Sequence, residues 1–208
     1  SLDHEVITRS FNQPNHLEQS PFLLACLYGC VDVVKILLSD SRIEVNSRHP
    51  IRGTTPFHAV CDEENIQLIK LLLQHDRIDI NKSDFHGRTP LFSACERGSL
   101  ITVKYLLCSY NGVSELTKHK LINMKLKTVE ERSPLGIARE KMLQEPKFFR
   151  RKDEVEKRRA IYQSIVSLLE DFESNPNEIS FLLRKALLPL GLFFFLLIFF
   201  SFFFFFFF

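Results

Sequence analysis

The chain has 208 residues, with 27 Lys and Arg against 25 Asp and Glu, and its net charge of +2 is too small to imply a nucleic-acid partner by itself. Hydrophobic and charged contents of 45% and 25% are those of an ordinary soluble protein of one or two domains. That average conceals a division, because 12 of the 21 phenylalanines fall between Phe193 and Phe208.

The opening Ser1-Leu2-Asp3-His4-Glu5 lacks the basic and then apolar run of a secretory signal. Phe11-Asn12 has the form of the end of a repeat whose helices are largely missing, so residues 1–19 are expected to be a remnant and the chain a fragment. Three similar cassettes follow: Ser20-Pro-Phe-Leu-Leu-Ala-Cys26, Thr55-Pro-Phe-His-Ala-Val-Cys61 and Thr89-Pro-Leu-Phe-Ser-Ala-Cys95. Their prolines are 35 and 34 residues apart, the period of a copied structural unit that buries its apolar face only by stacking.

Each cassette predicts a helix-turn-helix. In the third, Thr89 caps a helix whose first residue is Pro90, where the missing N–H costs nothing. Leu91, Ala94 and Cys95 share one face, Gly98 supplies a left-handed stop, and Ser99 opens a second helix. Val103, Leu106 and Leu107 then form a buried stripe, matched by Val34, Leu37 and Leu38 and by Ile69, Leu72 and Leu73. Each unit closes on an apolar residue and Asn: Val45-Asn46, Ile80-Asn81 and Ile122-Asn123. Glu64 stands where the other copies have a helix-ending Gly, in a conformation costing a non-Gly residue about 1 to 2 kcal/mol.

The units are expected at 20–52, 53–86 and 87–131, with a degenerate copy at 132–173 beginning Ser133-Pro134. Its second helix is expected near Ile165–Glu170, after a charged insertion from about Met142 to Arg158. Lys147-Phe-Phe-Arg-Arg-Lys152 and Glu156-Lys-Arg-Arg159 could form a basic patch, but interleaved acids favour a solvated helix or loop. Glu170 replaces the Leu of the earlier stripes and gives the last unit a polar capping face. A linker is expected over 174–185.

Residues 186–208 carry no charge, and as a helix would reach roughly 34 Å, enough to cross a hydrocarbon core. Two readings stand: a membrane anchor whose Arg184 and Lys185 keep the repeats cytoplasmic, or the translation of a thymine tract. Membrane partnership holds only if this tail is genuine.

The cysteines number five, and Cys26, Cys61 and Cys95 share one repeat phase, too widely spaced for disulfides and suited to buried thiols in a reducing compartment. Cys26 with Cys30 and His58 with Cys61 have ligand-like spacings, but lie on phases expected in the core, so no metal or other cofactor is assigned. The usual catalytic signatures are missing from the sequence, which is read as non-enzymatic with no small-molecule substrate.

The cassette pattern T-P-L-H-x-A, paired helices and an apolar-Asn closure over residues 11–131 strongly resemble the ankyrin repeat. The resemblance implies an all-α ankyrin-repeat solenoid of stacked helix-turn-helix units with extended β-turn connections. It also implies that the motif imidazole, kept only as His58, ties neighbouring turns together, whereas Leu23 and Phe92 leave packing to do so. Ankyrin repeats present a concave surface of turns and first helices to protein partners. Carried onto this sequence, its turns supply Arg48, His49, Arg52, Lys82, Phe85, His86, Arg88, Lys125 and Lys127, and its helices Tyr28, Asp62, Glu63, Glu96 and Arg97. This mainly basic edge, with Phe85 as an apolar anchor, suits an acidic protein partner; nucleic acid is not expected as a partner. The expected protein is an intracellular, cytoplasmic monomer acting as a scaffold or adaptor, alternatively a tail-anchored adaptor or the targeting region of a longer enzyme or channel.

Overall fold

The computed structural model describes residues 12–108, 122–144 and 152–187. Every Ser/Thr-Pro pair opens a helix: α1 is Pro21–Leu27 and is followed by α2, Val31–Ser39. The second unit comprises α3, Pro56–Asp62, and α4, Ile66–Leu73; the third comprises α5, Pro90–Arg97, and α6, Leu100–Cys108. A fourth pair, α7 at Pro134–Leu143 and α8 at Lys152–Ser174, is followed by α9, Pro176–Leu187. The hydroxyls of Ser20, Thr55, Thr89 and Ser133 accept the N–H groups of Leu23, His58, Phe92 and Gly136 at 3.2, 3.4, 3.2 and 3.0 Å. Each cap satisfies a donor that the first helical turn leaves without an intrahelical partner.

The first helices α1, α3, α5 and α7 contact one another in sequence, and α4, α6 and α8 form a second layer behind them. No strand occurs among the described residues. Phe22, Phe57 and Leu91 occupy one phase of the core, and Cys26, Cys61 and Cys95 another, all almost wholly buried. Burying a Leu or Phe side chain is worth about 1.5 to 3 kcal/mol, so this repeated phase is what binds successive units.

Two turns per unit require positive φ. Between the paired helices it occurs at Gly29, Glu64 and Gly98, and just before the caps at Glu18, Gly53, Gly87 and Glu131. Glutamate therefore stands at three sites whose counterparts are glycine, and stacking must offset the strain.

The extended segments are joined by side chains reaching into the next unit. Asn12 donates to the Arg42 carbonyl at 2.7 Å and accepts from Glu44 N–H at 2.8 Å; Asn46 repeats this with Arg77 and Asp79 at 2.6 and 2.9 Å. Asn81 accepts from the N–H of Asn123 at 2.8 Å, which puts Asn123 at the phase of Asp79. The third closing pair is accordingly Met124-Lys125, not the expected Ile122-Asn123. Ile122 and Met124 are both buried, as are Ile43 with Val45 and Ile78 with Ile80. Arg77 adds a second link: its guanidinium donates to the carbonyls of Leu38, Asp40, Ser41 and Ile43 at 2.8 to 3.0 Å. It thus closes the C-terminal end of α2, where carbonyls lack intrahelical donors.

The fourth unit differs from the sequence expectation in two places. Its second helix begins at Lys152, so the distal part of the charged stretch belongs to α8, while residues 145–151 lie outside those described. Tyr162, Ile165, Val166, Leu169 and Phe172 form its buried face, and Glu170 remains outward, 2.6 Å from Arg139. The segment expected as a linker is α9, which packs on α6 and α8 through Ser180 and Leu183. Pro176 begins that helix rather than interrupting the chain, because proline suits a first helical turn. Among the described residues no helix is long and apolar enough to cross a membrane. The uncharged tail from residue 188 onward lies outside them.

Two stability outcomes follow from these contacts. Glu64→Gly should raise the unfolding free energy by about 1 kcal/mol, read from urea denaturation, because glycine adopts the positive φ without a Cβ penalty. Arg77→Ala should lower it by about 2 kcal/mol, since charged hydrogen bonds to the α2 carbonyls are lost, whereas Arg77→Lys should lose less.

Candidate protein-binding surface

The turns before each cap are built as rigid projections. In the second turn the buried Asp84 carboxylate accepts the N–H groups of His86 and Arg88, each at 2.9 Å, and the Arg88 guanidinium at 2.8 Å. Asp84 N–H also donates to the Arg88 carbonyl at 2.9 Å, closing the loop. Thr128 performs the same task in the third turn, donating to Arg132 carbonyl at 3.0 Å and accepting Arg132 N–H at 3.2 Å. His49 N–H donates to Thr54 carbonyl at 2.8 Å across the longer first turn. The turns also join each other: Phe85 N–H donates to Arg52 carbonyl at 3.2 Å, and Val129 N–H to His86 carbonyl at 2.9 Å.

His58 couples this ridge to the helices. Thr55 N–H donates to its Nδ1 at 3.2 Å, so Nε2 carries the proton and donates to Arg88 carbonyl at 2.9 Å. Both nitrogens are committed to the neutral ring, and burial holds its pKa below 6.5, partly opposed by the Arg88 carbonyl and Asp84. Leu23 and Phe92, at the same phase, are buried and rely on packing. Cys61 is likewise buried, and burial pushes its thiol pKa up; Cys26 is pushed up to about 12 for the same reason. These residues are parts of the core.

The candidate residues divide by what they touch. Arg88 is half-buried and turned inward, to Asp84 and to Glu96 at 3.5 Å. Arg97 lies 3.8 Å from the Asp62 carboxylate and donates to the Asp62 carbonyl at 3.0 Å. Burial raises the Asp62 pKa, with Arg97 and Arg88 opposing that shift. Asp62, Arg88, Glu96 and Arg97 therefore join the second and third units before any partner arrives. Arg48, Arg52, His86, Lys125 and Lys127 are exposed on the ridge, with His49 and Lys82 half-buried there; Arg48 lies 5.8 Å from the centroid of the Phe85 ring. Lys127 pairs with Glu131 at 3.1 Å. Tyr28 and Glu63 are exposed at the ends of α1 and α3.

An open groove of about 580 Å³ lies where α5 meets the projecting start of α8. Tyr162 forms its floor, donating from its hydroxyl to Glu96 carbonyl at 2.8 Å, with Arg158 5.6 Å above its ring. Gly98 lies against that ring, and a Cβ there would come within 3.0 Å of it. Sequence reasoning missed Tyr162, whose partner is 66 residues away, and it missed Ile51 and Val129, which share the phase of Phe85 two residues before the left-handed turn residue.

Paired helices in two layers, hydroxyl-capped after proline-led turns, are the geometry of a known repeat. The family model for ankyrin repeats matches residues 22–119 in three copies. The first three units are ankyrin repeats. A solved structure similar to the chain is the ankyrin repeat domain of Bcl-3, a member of the IkappaB protein family: it is 24% identical, with a TM-score of 0.48. The alignment covers 57% of this chain and 46% of that one, so the chain spans less than half of that relative. No curated protein matches the sequence significantly.

The His58 contacts set a pH dependence for the array. Its folded pKa lies below the unfolded value, so the unfolded chain takes up the proton first on acidification. The stabilisation is complete above about pH 6.5 and is lost as pH falls from there through the folded pKa. A His58→Leu variant should be less stable at pH 7.5, yet lose less stability than the parent between pH 7.5 and 5, measured by chemical denaturation.

Proposed function

We propose that this chain is a non-catalytic scaffold or adaptor that holds a protein partner on its turn ridge and first helices. Ankyrin repeats are generally protein-interaction modules, and the observation that carries the reading here is the locked ridge. Asp84, Thr128 and the turn-to-turn hydrogen bonds fix the backbone, while Arg48, Arg52, Phe85 and His86 project from it. Such a surface loses little conformational entropy on binding, so the contacts it makes are expressed as affinity. The second-helix layer is covered in part by α9, which packs on α6 and α8.

The charge on the ridge supports an acidic partner. Arg48, Arg52, Lys82 and Lys125 lie along it, and rim charges of this kind speed encounter and set orientation more than they add affinity. The buried thiols of Cys26, Cys61 and Cys95 support a reducing, intracellular setting. Affinity capture with the full chain, compared with an Arg48→Glu, Arg52→Glu, Lys82→Glu variant, tests the reading. Partners held by the parent should bind the variant at least about tenfold more weakly, while Lys104→Glu on α6 should leave binding unchanged. Equal retention by the ridge variant overturns it.

A further inference from the structure

Three turns each expose one apolar side chain at the same phase: Ile51 is 82% exposed, Phe85 54% and Val129 76%. Each lies two residues before the left-handed residue of its turn, at Gly53, Gly87 and Glu131. Isolated exposed apolar residues are ordinary, but three in register along one edge form a row. The row is held in line because Phe85 N–H donates to Arg52 carbonyl and Val129 N–H to His86 carbonyl, one link per step. Phe85 also sits over Gly53, where a Cβ would meet its ring at 2.5 Å, so glycine there lets the ring lie against the neighbouring turn.

We infer that this row docks an extended protein segment in the polyproline II conformation, with an apolar side chain at every third position and acidic residues between. This rests on the reading of the ridge as a partner surface and names what that surface selects. Stacked helices lie about 8 to 10 Å apart, which sets the step between tips. A polyproline II segment returns to the same face every three residues, at about 9 Å. A β-strand does so at about 6.6 Å and falls out of step. An α-helix returns to the same face only with a seven-residue repeat at about 10.5 Å, longer than that step. Charge decides what lies between the apolar positions. Arg48 stands over the Phe85 ring and Arg52 is exposed beside Ile51, so the first two tips are flanked by cations. At the third, Lys127 is paired with Glu131 and Arg132 with Glu130, which leaves that end nearly neutral. The acidic positions of the segment therefore match the first interval, between Ile51 and Phe85.

The test uses the full chain and a labelled peptide of four Leu-Pro-Asp triplets, followed by fluorescence anisotropy. Ile51→Asp and Val129→Asp should each weaken binding about fivefold to tenfold with an unchanged melting temperature, because both side chains point into solvent. Phe85→Ala should weaken it similarly, and Arg52→Glu should do so more at low salt than at high salt. A peptide of alternating Leu and Asp, and a helical peptide with Leu at every seventh position, should bind at least tenfold more weakly than the triplet peptide. No measurable binding of the triplet peptide, parental affinity in the tip variants, or equal binding of either control overturns the inference. If captured partners are lost on reversing the ridge charges but kept by the tip variants, the docking row fails while the scaffold reading stands. If neither set of variants matters, both fail.

Discussion

The hydroxyl cap at the start of each first helix is the constraint on which the rest of the array depends. Ser20, Thr55, Thr89 and Ser133 each accept an N–H from the first turn of the helix they precede, and proline at the next position fixes the entry angle. The turn before the cap is thereby set at a fixed orientation to the helix after it. Because the same angle recurs, the turns align into a ridge and the helices into layers. In the second unit Thr55 also bonds His58, whose other nitrogen reaches the next turn, so one residue pair joins cap, helix and ridge.

Much of this was legible from local pattern. Proline after a hydroxyl residue, the i, i+3, i+4 stripes and the glycine between paired helices are short-range signals, and they appear where the sequence places them, although Leu37 and Leu73 are only half-buried. The misreadings have physical causes. Ile122 and Met124 lie two positions apart and both face inward, so apolar character could not choose between them; Asn123 next to Ile122 imitated the closing pair. The run from Lys152 to Arg158 was expected to be part of an insertion because it is charged, but Lys, Glu and Arg are good helix formers and solvate the overhanging turns of α8. Pro176 between two asparagines looked like a linker and is a helix start.

The candidate surface was legible to a lesser degree. Positions on the turns could be transferred from the repeat phase, but whether a side chain faces a partner or its own fold depends on residues distant in sequence. Arg88 is the clearest case, a turn cation spent on Asp84 and Glu96. Arg77 is the converse, an unremarkable arginine in sequence whose four carbonyl partners lie 34 to 39 residues away. Nothing near it in the chain could have signalled that role.

The links between units are not evenly distributed. The second and third share His58 with Arg88, Arg97 with Asp62 and Val129 with His86, and the third is further gripped by Tyr162 from α8 and Ser180 from α9. The first unit is tied to the second through Arg77, Asn46 and the Phe85 N–H on the Arg52 carbonyl, besides the shared core phase. In a linear array each unit is only as durable as its junctions. The third unit, which α8 and α9 grip in addition to its junction with the second, is therefore the last to open under mechanical load or partial denaturation.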